Sequence, residues 1–256
     1  MTTTRDSTTT KGGGIQLLRG DCLRLLPKLA ARSVALVLCD LPYGVTSSRR
    51  DHAIALAPLW AQYERVLTTG GCAVLFAQAP FSFALFNAAP RHWFRYEWIW
   101  DKHFATGFQW SHHRPMRRTE DVLVFSRHPT LYRPQGLHRL KHARYKHGGS
   151  KRESSDAYGS TPPRRAKQTM VGYPSTLLSY AHEQHAKPFQ KPIALLSYLI
   201  HTYTRRGDLV LDNCMGTGST GVACIETGRR FIGMEIDRKM FHFAEERITR
   251  ALEGRA

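Results

Sequence analysis

The sequence predicts an α/β fold with a doubly wound, mainly parallel sheet that carries helices on both faces. Short apolar runs without polar alternation recur along the chain, and segments with helical periodicity separate them. The chain has 256 residues, 42% of them hydrophobic, which is enough for one domain and a modest insertion. Ligands of such sheets bind beyond the carboxyl ends of the strands, so the residues that follow each strand are the most informative.

The individual elements follow from length and periodicity. Apolar runs of strand length predict strands over 15–18, 34–39, 73–76, 94–100, 122–125, 209–211 and 231–234. Apolar residues at helical spacing, such as Trp60, Tyr63 and Leu67 on one face, predict helices over 22–30, 57–67, 193–203, 219–226 and 239–252. Residues 1–14 are polar and rich in Thr and Gly, and we expect them to be a disordered leader.

The basic residues are concentrated in one segment. The chain has 37 Lys and Arg against 20 Asp and Glu, a formal charge of +17. Eleven of the basic residues lie between Arg127 and Lys167, where Glu153 and Asp156 are the two acids. A segment with so few aliphatic residues is either a disordered loop or one that orders on a phosphate backbone. The charge favours a nucleic-acid partner over a generally basic surface.

Other classes of protein fit the sequence less well. No apolar run reaches the roughly 18 residues that a membrane helix needs, and the polar N-terminus does not resemble a signal peptide. The five scattered cysteines suit reduced thiols in a cytoplasmic protein better than a disulfide framework. The histidine pairs at 138 and 142 and at 182 and 185 have no Cys pair beside them, so no metal site is predicted.

A glycine-rich turn follows the strand predicted at 209–211. Gly216, Gly218 and Gly221 have G-x-G-x-x-G spacing, and Glu235 ends a strand about twenty residues later. Such glycines let a ligand approach bare backbone, the next helix offers its N-terminal amides, and the acid can bind ribose hydroxyls. The spacing alone leaves open a dinucleotide, an adenosyl-sulfonium, or a turn that binds no ligand.

The charges around this turn favour the adenosyl-sulfonium. Asp212 precedes the glycines at the strand end, where its carboxylate would attract a positively charged ligand and repel a pyrophosphate. The helix that follows has no basic residue from Ser219 to Gly228 that could bind a phosphate. We therefore expect S-adenosylmethionine as cofactor, with a nicotinamide-dependent oxidoreductase as the alternative.

A second motif, Asp40-Leu41-Pro42-Tyr43, follows the strand predicted at 34–39. Pro42 fixes the backbone and, because it has no N–H, leaves neighbouring carbonyls exposed. Tyr43 offers a flat face to a nucleobase, and Asp40 can accept a hydrogen bond from an amino group. The lone pair of an exocyclic amine is delocalised into the ring, and acceptors that hold its N–H groups out of plane localise that pair toward a methyl group.

Together the two motifs resemble those of amino-methyltransferases. The residues 40–43 look like their D/N/S-P-P-Y motif, and Asp212 to Gly218 look like their D-x-F-x-G-x-G motif. The order, with the catalytic motif first and a basic stretch between, is similar to the permuted β group of DNA adenine-N6 and cytosine-N4 methyltransferases. The similarity runs from about Ile15 to Arg250 and implies a Rossmann-like methyltransferase fold. Leu41 and Cys214 depart from the motifs but keep an apolar side chain.

The resemblance implies roles for individual residues. Asp40, with Leu41 and Pro42, would hold the target amine, and Tyr43 would stack on a base flipped out of the duplex. An Asp at the first motif position favours N6 of adenine over N4 of cytosine. The residues expected at the cofactor are Asp21, Cys22, Asp40, Lys191, Asp212, Gly216, Gly218 and Glu235.

The resemblance also implies a division of the chain. Residues 15–126 would be the catalytic half of the domain, 187–256 the cofactor-binding half, and 127–186 a basic target-recognition insertion. Its predicted contacts to double-stranded DNA are Arg127, Arg139, Lys141, Arg144, Lys146, Lys151, Arg152, Arg164, Arg165 and Lys167. A recognition segment this small is compatible with a homodimer. A basic DNA-binding protein without catalysis would leave the paired motifs unexplained.

Overall fold

The computed structural model describes residues 8–10, 14–44, 53–147, 165–182 and 190–254. The chain divides into two compact units, Met1–Arg133 with Thr176–Ala256, and Pro134–Ser175. The described strands are β1 (Thr8–Thr10), β2 (Ile15–Arg19), β3 (Val34–Asp40), β4 (Leu67–Ala77), β5 (Phe94–Thr106), β6 (Arg117–Phe125), β7 (His138–His147), β8 (Arg165–Val171), β9 (Leu177–Ser179), β10 (Leu209–Asp212) and β11 (Arg230–Glu235). The described helices are α1 (Cys22–Leu25), α2 (Leu56–Val66), α3 (Phe81–Ala88), α4 (Ile193–Tyr203), α5 (Ser219–Thr227) and α6 (Arg238–Glu253).

The larger unit is built on a nine-stranded sheet with the order β1-β2-β11-β10-β3-β4-β6-β5-β9. The five strands from β2 to β4 are mutually parallel, while β6 is antiparallel to both β4 and β5. Leu36 and Val74 pack on one face with α4, α5 and α6, and Val37 and Leu75 pack on the other with α2. The predicted doubly wound, mainly parallel sheet with a core on both faces is confirmed.

Most predicted elements lie within one or two residues of the observed ones, and the differences have physical reasons. The helix predicted over 22–30 ends at Leu25 and continues as a 3₁₀ turn from Leu26 to Lys28, since Pro27 cannot donate an α-helical hydrogen bond. Helix α3 was missed because its mostly apolar sequence has no polar face. In the leader, Thr8–Thr10 pair with β2 as an edge strand, so the expectation of disorder is wrong for these three residues.

The smaller unit contains the antiparallel pair β7 and β8. The pairing runs from His138 opposite Val171 to His147 opposite Arg165, with a change of register between Arg139 and Arg144. No described side chain of residues 134–175 is buried, as expected for a sequence with so few aliphatic residues. From His138 onward, the described part of the basic segment thus forms a β-ribbon rather than an irregular loop.

The sheet brings the two motifs to one edge. Strands β3, β4, β10 and β11 are parallel, so Asp40, Asp212 and Glu235 all lie where these strands end, which we call the carboxyl edge. Because β6 runs the other way, it begins at this edge, and β5 ends there. Among the described residues, each helix is too short or too polar to span a membrane.

Candidate active site

Two acids, a lysine and a tyrosine form a hydrogen-bonded cluster at the carboxyl edge. The ammonium of Lys191 lies 2.5 Å from Asp40 Oδ2 and 3.0 Å from Glu120 Oε1. The Tyr43 hydroxyl lies 2.9 Å from Asp40 Oδ1 and 3.0 Å from the same Glu120 oxygen. Lys191 therefore bridges the two carboxylates on one side, and Tyr43 bridges them on the other.

Each member of this cluster is fixed by the element that carries it. Asp40 is the last residue of β3, and the buried Leu41 anchors the chain directly after it. Glu120 is opposite Trp100 in the pairing of β5 with β6. Lys191 lies two residues before α4, and its ammonium is 4.9 Å from the centre of the Phe76 ring. The cluster therefore joins three parts of the fold: the end of β3, the start of β6 and the segment before α4.

The cluster is largely withdrawn from water. The side chains of Glu120 and Lys191 are 8% and 11% exposed, whereas that of Asp40 is 29% exposed. Burial alone would lower the pKa of Lys191, but the neighbouring carboxylates of Asp40 and Glu120 raise it above its usual value. Burial raises the pKa of Asp40, and the charge of Lys191 opposes that rise. One ammonium therefore balances two acids, and Asp40 is the more accessible of the two.

Tyr43 covers the exposed side of this cluster. Its ring stacks on Phe81 at the start of α3, with centroids 5.0 Å apart and planes 26° apart. Its hydroxyl donates a single proton, so it can donate to Asp40 or to Glu120 but not to both at once. In this arrangement Tyr43 occupies one carboxylate oxygen of Asp40.

The glycine-rich turn is stabilised by two acids of the same edge. Asp212 accepts hydrogen bonds from the Thr220 hydroxyl at 2.6 Å and from the Cys214 N–H at 3.1 Å. Glu235 accepts one from the Gly216 N–H at 3.0 Å. Gly216 has a φ of +49°, and a Cβ there would meet one atom within 4 Å, the Cys214 carbonyl oxygen at 4.0 Å. The turn therefore presents open backbone, as a ligand cradle requires.

Gly218 has a different role from Gly216. It caps the start of α5 with a φ of +77°, and a Cβ there would lie 3.0 Å from the Cβ of Ala244 on α6. Its spacing is therefore explained by helix packing and backbone geometry. A ligand is not needed to account for it.

Asp212 lies in an environment suited to a cationic ligand. Its side chain is 4% exposed, and burial is the main reason that its pKa is raised to about 6. No described side chain forms an ion pair with it. A buried carboxylate without a counter-ion is stabilised by a positively charged ligand and would repel a pyrophosphate.

The other residues expected at the cofactor lie at the same edge. Asp21 caps α1 by accepting a hydrogen bond from the Leu23 N–H at 2.9 Å, and Cys22 is buried behind it. The Gly20 N–H donates to the Glu235 carbonyl at 2.9 Å, which joins this turn to the end of β11. Ile236, which sequence reasoning missed, is 70% exposed directly after Glu235. In the sequence, the signal that could have identified it is an apolar residue directly after the strand-end acid.

Comparison with known proteins decides the family. The N6_N4_Mtase family model, described as DNA methylase, matches residues 34–246. The chain belongs to this family of DNA methylases. It is 28% identical over 251 residues to the DNA adenine methyltransferase YhdJ of Escherichia coli (strain K12), covering 91% of the chain and 82% of that relative.

Two solved structures share the fold of this methylase. The M1.HpyAVI–SAM complex has a TM-score of 0.60 and 22% identity, with 91% of this chain and 99% of that chain covered. The cytosine-N4-specific PvuII DNA methyltransferase has a TM-score of 0.61 and 15% identity, with 94% and 92% covered. The predicted amino-methyltransferase resemblance is confirmed. Family membership decides against the oxidoreductase and against a DNA-binding protein without catalysis.

The structure separates the residues predicted to bind DNA into three groups. Arg139, Lys141, Arg144 and Lys167 are exposed on the β-ribbon, and Lys146 and Arg165 lie on its strands. Lys151, Arg152 and Arg164 lie outside the described residues. Arg127 follows the far end of β6, at the edge opposite Asp40, where its guanidinium is 3.5 Å from Glu64. Arg127 is therefore left out of the DNA-contacting surface proposed below.

The raised pKa of Asp212 predicts how the methylase depends on pH. The folded chain binds this proton more tightly than the unfolded chain, so the free energy of unfolding falls as the pH rises from about 4 to about 6. Asp212→Asn removes the buried charge. At pH 7.5 without ligand, the variant should be more stable than the wild type by up to about 2–3 kcal/mol.

Urea unfolding monitored by circular dichroism at several pH values measures this difference. The advantage of Asp212→Asn should shrink as the pH falls below about 6, because the wild-type carboxyl group then becomes neutral. Asp208→Asn serves as the matched control, since Asp208 lies just before β10 at the opposite edge. A constant difference between Asp212→Asn and the wild type across this range would mean that Asp212 is not a buried, uncompensated charge.

Proposed function

We propose that this DNA methylase transfers a methyl group from S-adenosylmethionine to the exocyclic amine of a base in double-stranded DNA, namely N6 of adenine. The observation that carries the proposal is the cluster at Asp40: an accessible carboxylate at a strand end, held by buried Lys191 and covered by an aromatic ring. The amine of a paired base is buried in the duplex, so the target base must leave the stack to reach it.

Several groups at the glycine-rich turn fit S-adenosylmethionine. Asp212 offers a buried carboxylate that has no counter-ion among the described side chains, and the open backbone at Gly216 leaves room for a ligand. Glu235 would bind the ribose hydroxyls, and Ile236 offers an apolar face beside it for the adenine ring. When bound, the cofactor supplies an electrophilic methyl group attached to a sulfonium. Asp21 and Cys22, at the adjoining turn, complete the proposed cofactor site.

Asp40 would make the target amine nucleophilic. By accepting an N–H hydrogen bond out of the plane of the base, its carboxylate localises the nitrogen lone pair toward the methyl group. The nitrogen would take the methyl group as the carbon–sulfur bond of the sulfonium breaks and a neutral thioether leaves, and it would then have to lose a proton. Asp40, whose pKa is raised by burial, would accept that proton. Lys191 keeps Asp40 ionised before the reaction, which is the form that accepts the hydrogen bond.

Adenine is the preferred target, with N4 of cytosine as the second candidate. Asp at the first position of the motif supports adenine, as does the likeness to a DNA adenine methyltransferase along 91% of the chain. The cytosine-N4-specific structure shares the fold alone, at 15% identity. We also propose that the protein is cytoplasmic. Its small recognition segment is compatible with a homodimer.

The β-ribbon would contact the DNA backbone. A two-stranded ribbon fits the major groove of B-DNA, and the exposed Arg139, Lys141, Arg144 and Lys167 supply positive charge along it. Contacts to phosphates position a protein on DNA, whereas contacts to base edges select the sequence. The ribbon can therefore contribute to both affinity and target recognition, which supports the division of the chain into a methyltransferase domain and a basic insertion.

The reaction is tested by incubating the methylase with labelled S-adenosylmethionine and unmethylated DNA, then identifying modified nucleosides by mass. We expect N6-methyladenine from the wild type. Asp40→Ala should lower the single-turnover rate by about 100-fold or more, because ordered acceptors at the reacting group are lost. Cofactor affinity, measured by calorimetry, should be nearly unchanged because Asp40 acts on the base.

Asp121→Ala is the matched control, because this acid lies beside Glu120 on β6 but bonds to Ser82 instead of the cluster. It should keep most of the wild-type rate. Near wild-type turnover by Asp40→Ala would contradict the catalytic assignment. N4-methylcytosine as the product would leave the chemistry intact and correct the target base.

The salt dependence of DNA binding tests the β-ribbon. Each neutralised phosphate releases counter-ions and contributes about −0.9 to the slope of log K against log salt. If Arg144 and Lys167 both contact phosphates, replacing both with Gln should flatten that slope by about 1.8 units. Fluorescence anisotropy with a labelled duplex, between about 50 and 200 mM salt, measures the slope.

Arg205→Gln with Arg206→Gln removes the same charge from the opposite edge of the sheet and serves as the control. It should leave the slope close to that of the wild type. Equal slopes for the ribbon variant and the wild type, with an unchanged preferred sequence, would show that DNA is held elsewhere. A change in preferred sequence without a change in slope would indicate contacts to base edges.

A further inference from the structure

An exposed aromatic surface connects β5 to β6. The end of β5 and its connection to β6, His103–Met116, which we call the β5–β6 tip, contain a left-handed Gly107 followed by a 3₁₀ turn at Phe108–Trp110. Phe108 is 75% exposed and Trp110 is 50% exposed. Phe104 and Met116, at the two sides of the tip, are 46% and 36% exposed. Four large apolar side chains thus face solvent within fourteen residues.

The charge around these side chains has a single sign. From Lys102 to Thr119 the sequence contains no Asp or Glu. The guanidinium of Arg114 lies 5.8 Å from the centre of the Trp110 ring, and Arg117 is exposed where β6 begins. Exposed aromatic residues interleaved with arginines are typical of surfaces that stack on nucleobases while contacting phosphates. The chemistry of the tip therefore suits a nucleic acid as partner better than an acidic or an apolar protein surface.

The sheet places the tip next to the catalytic cluster. The pairing of β5 with β6 ends at Thr106 opposite Arg117, three residues from Glu120. Glu120 contacts both Tyr43 and Lys191. The tip is therefore the continuation, beyond the carboxyl edge, of β5 and of β6, the strand that carries Glu120.

The stem of the tip is fixed rather than loosely attached. Arg118 forms two hydrogen bonds with Asp101 across the strands, at 2.7 and 2.9 Å. His103 donates its N–H to Asp101 and contacts the Ser179 hydroxyl of β9 at 2.6 Å. An aromatic group held in this way loses little conformational freedom on binding, which is what insertion into a stack of bases requires.

We propose that the β5–β6 tip inserts Phe108 or Trp110 into the base stack of duplex DNA beside the target base. The inserted ring would occupy the space that the flipped base leaves and would stack on its neighbours. Arg114 and Arg117 would contact the flanking phosphates. This inference rests on the proposed function and adds to it a residue set that opens the duplex. The proposed role of the β-ribbon, by contrast, is to position the methylase on the DNA.

The test compares two synthetic duplexes that contain the sequence methylated by the wild type. In one, the target base is paired; in the other, an abasic site lies opposite it, so that little energy is needed to extrude it. The Phe108→Ala, Trp110→Ala double variant should lose about 10- to 100-fold in single-turnover rate on the paired duplex. On the duplex with the abasic site it should stay within about 3-fold of the wild type, because the opening step is no longer demanding.

Phe83→Ala removes an aromatic side chain that is 63% exposed on α3 and should match the wild type on both duplexes. Trp110→Phe should keep most of the wild-type rate on the paired duplex, because a stacking ring is retained at this position. Methylation by the wild type confirms beforehand that the proposed function holds, so a failure of the tip is separable from a failure of the enzyme.

Three results would overturn the proposal. Equal losses on both duplexes would mean that the tip binds DNA without helping to open it. Wild-type rates for the double variant would mean that the tip does not act on DNA. In the third result, sedimentation equilibrium shows a dimer for the wild type and a monomer for the double variant, and the methylation rate falls with the loss of the dimer. This surface would then be an interface between two copies of the chain.

Discussion

The buried pairing of Lys191 with Asp40 and Glu120 is the interaction on which the site depends. It joins the end of β3, the start of β6 and the segment before α4, which are far apart in sequence. Removing one member of a buried ion pair typically costs about 3–5 kcal/mol, since a charge is left without a partner. The cluster is therefore a strong constraint on how these three segments are aligned at the carboxyl edge.

Under the proposed function, the same cluster also determines what an incoming base would encounter. Tyr43 rests on Phe81 and satisfies Asp40, so a polar site that would otherwise be open to water has an internal partner. Under the proposed function, an incoming amine would have to replace that hydroxyl, and its own N–H would then take over the hydrogen bond. Opening the duplex and opening the site would then be two separate steps, the first carried out by the β5–β6 tip and the second by Tyr43.

The sequence was sufficient for the sheet, for the edge at which the motifs meet and for the family, because strand periodicity and motif order are local properties. It was not sufficient for Glu120, which looks like one polar residue in a strand until the pairing with β5 places it beside Lys191. Lys191 was predicted near the cofactor, and the sequence contained no sign of its contacts to Asp40 and Glu120. Arg127 was grouped with the basic segment by sequence distance, whereas the direction of β6 takes it to the opposite edge. Contacts between distant segments decided each of these cases.

The central claim, that Lys191 keeps Asp40 ionised, is tested most directly by the pH profile of single-turnover methyl transfer for Lys191→Gln. Without the ammonium, burial and the neighbouring Glu120 both raise the pKa of Asp40 further. The ascending part of the pH–rate profile should therefore shift upward by about one pH unit or more relative to the wild type. If the ascending part of the profile coincides with that of the wild type, the account is contradicted, whatever the maximal rate of the variant.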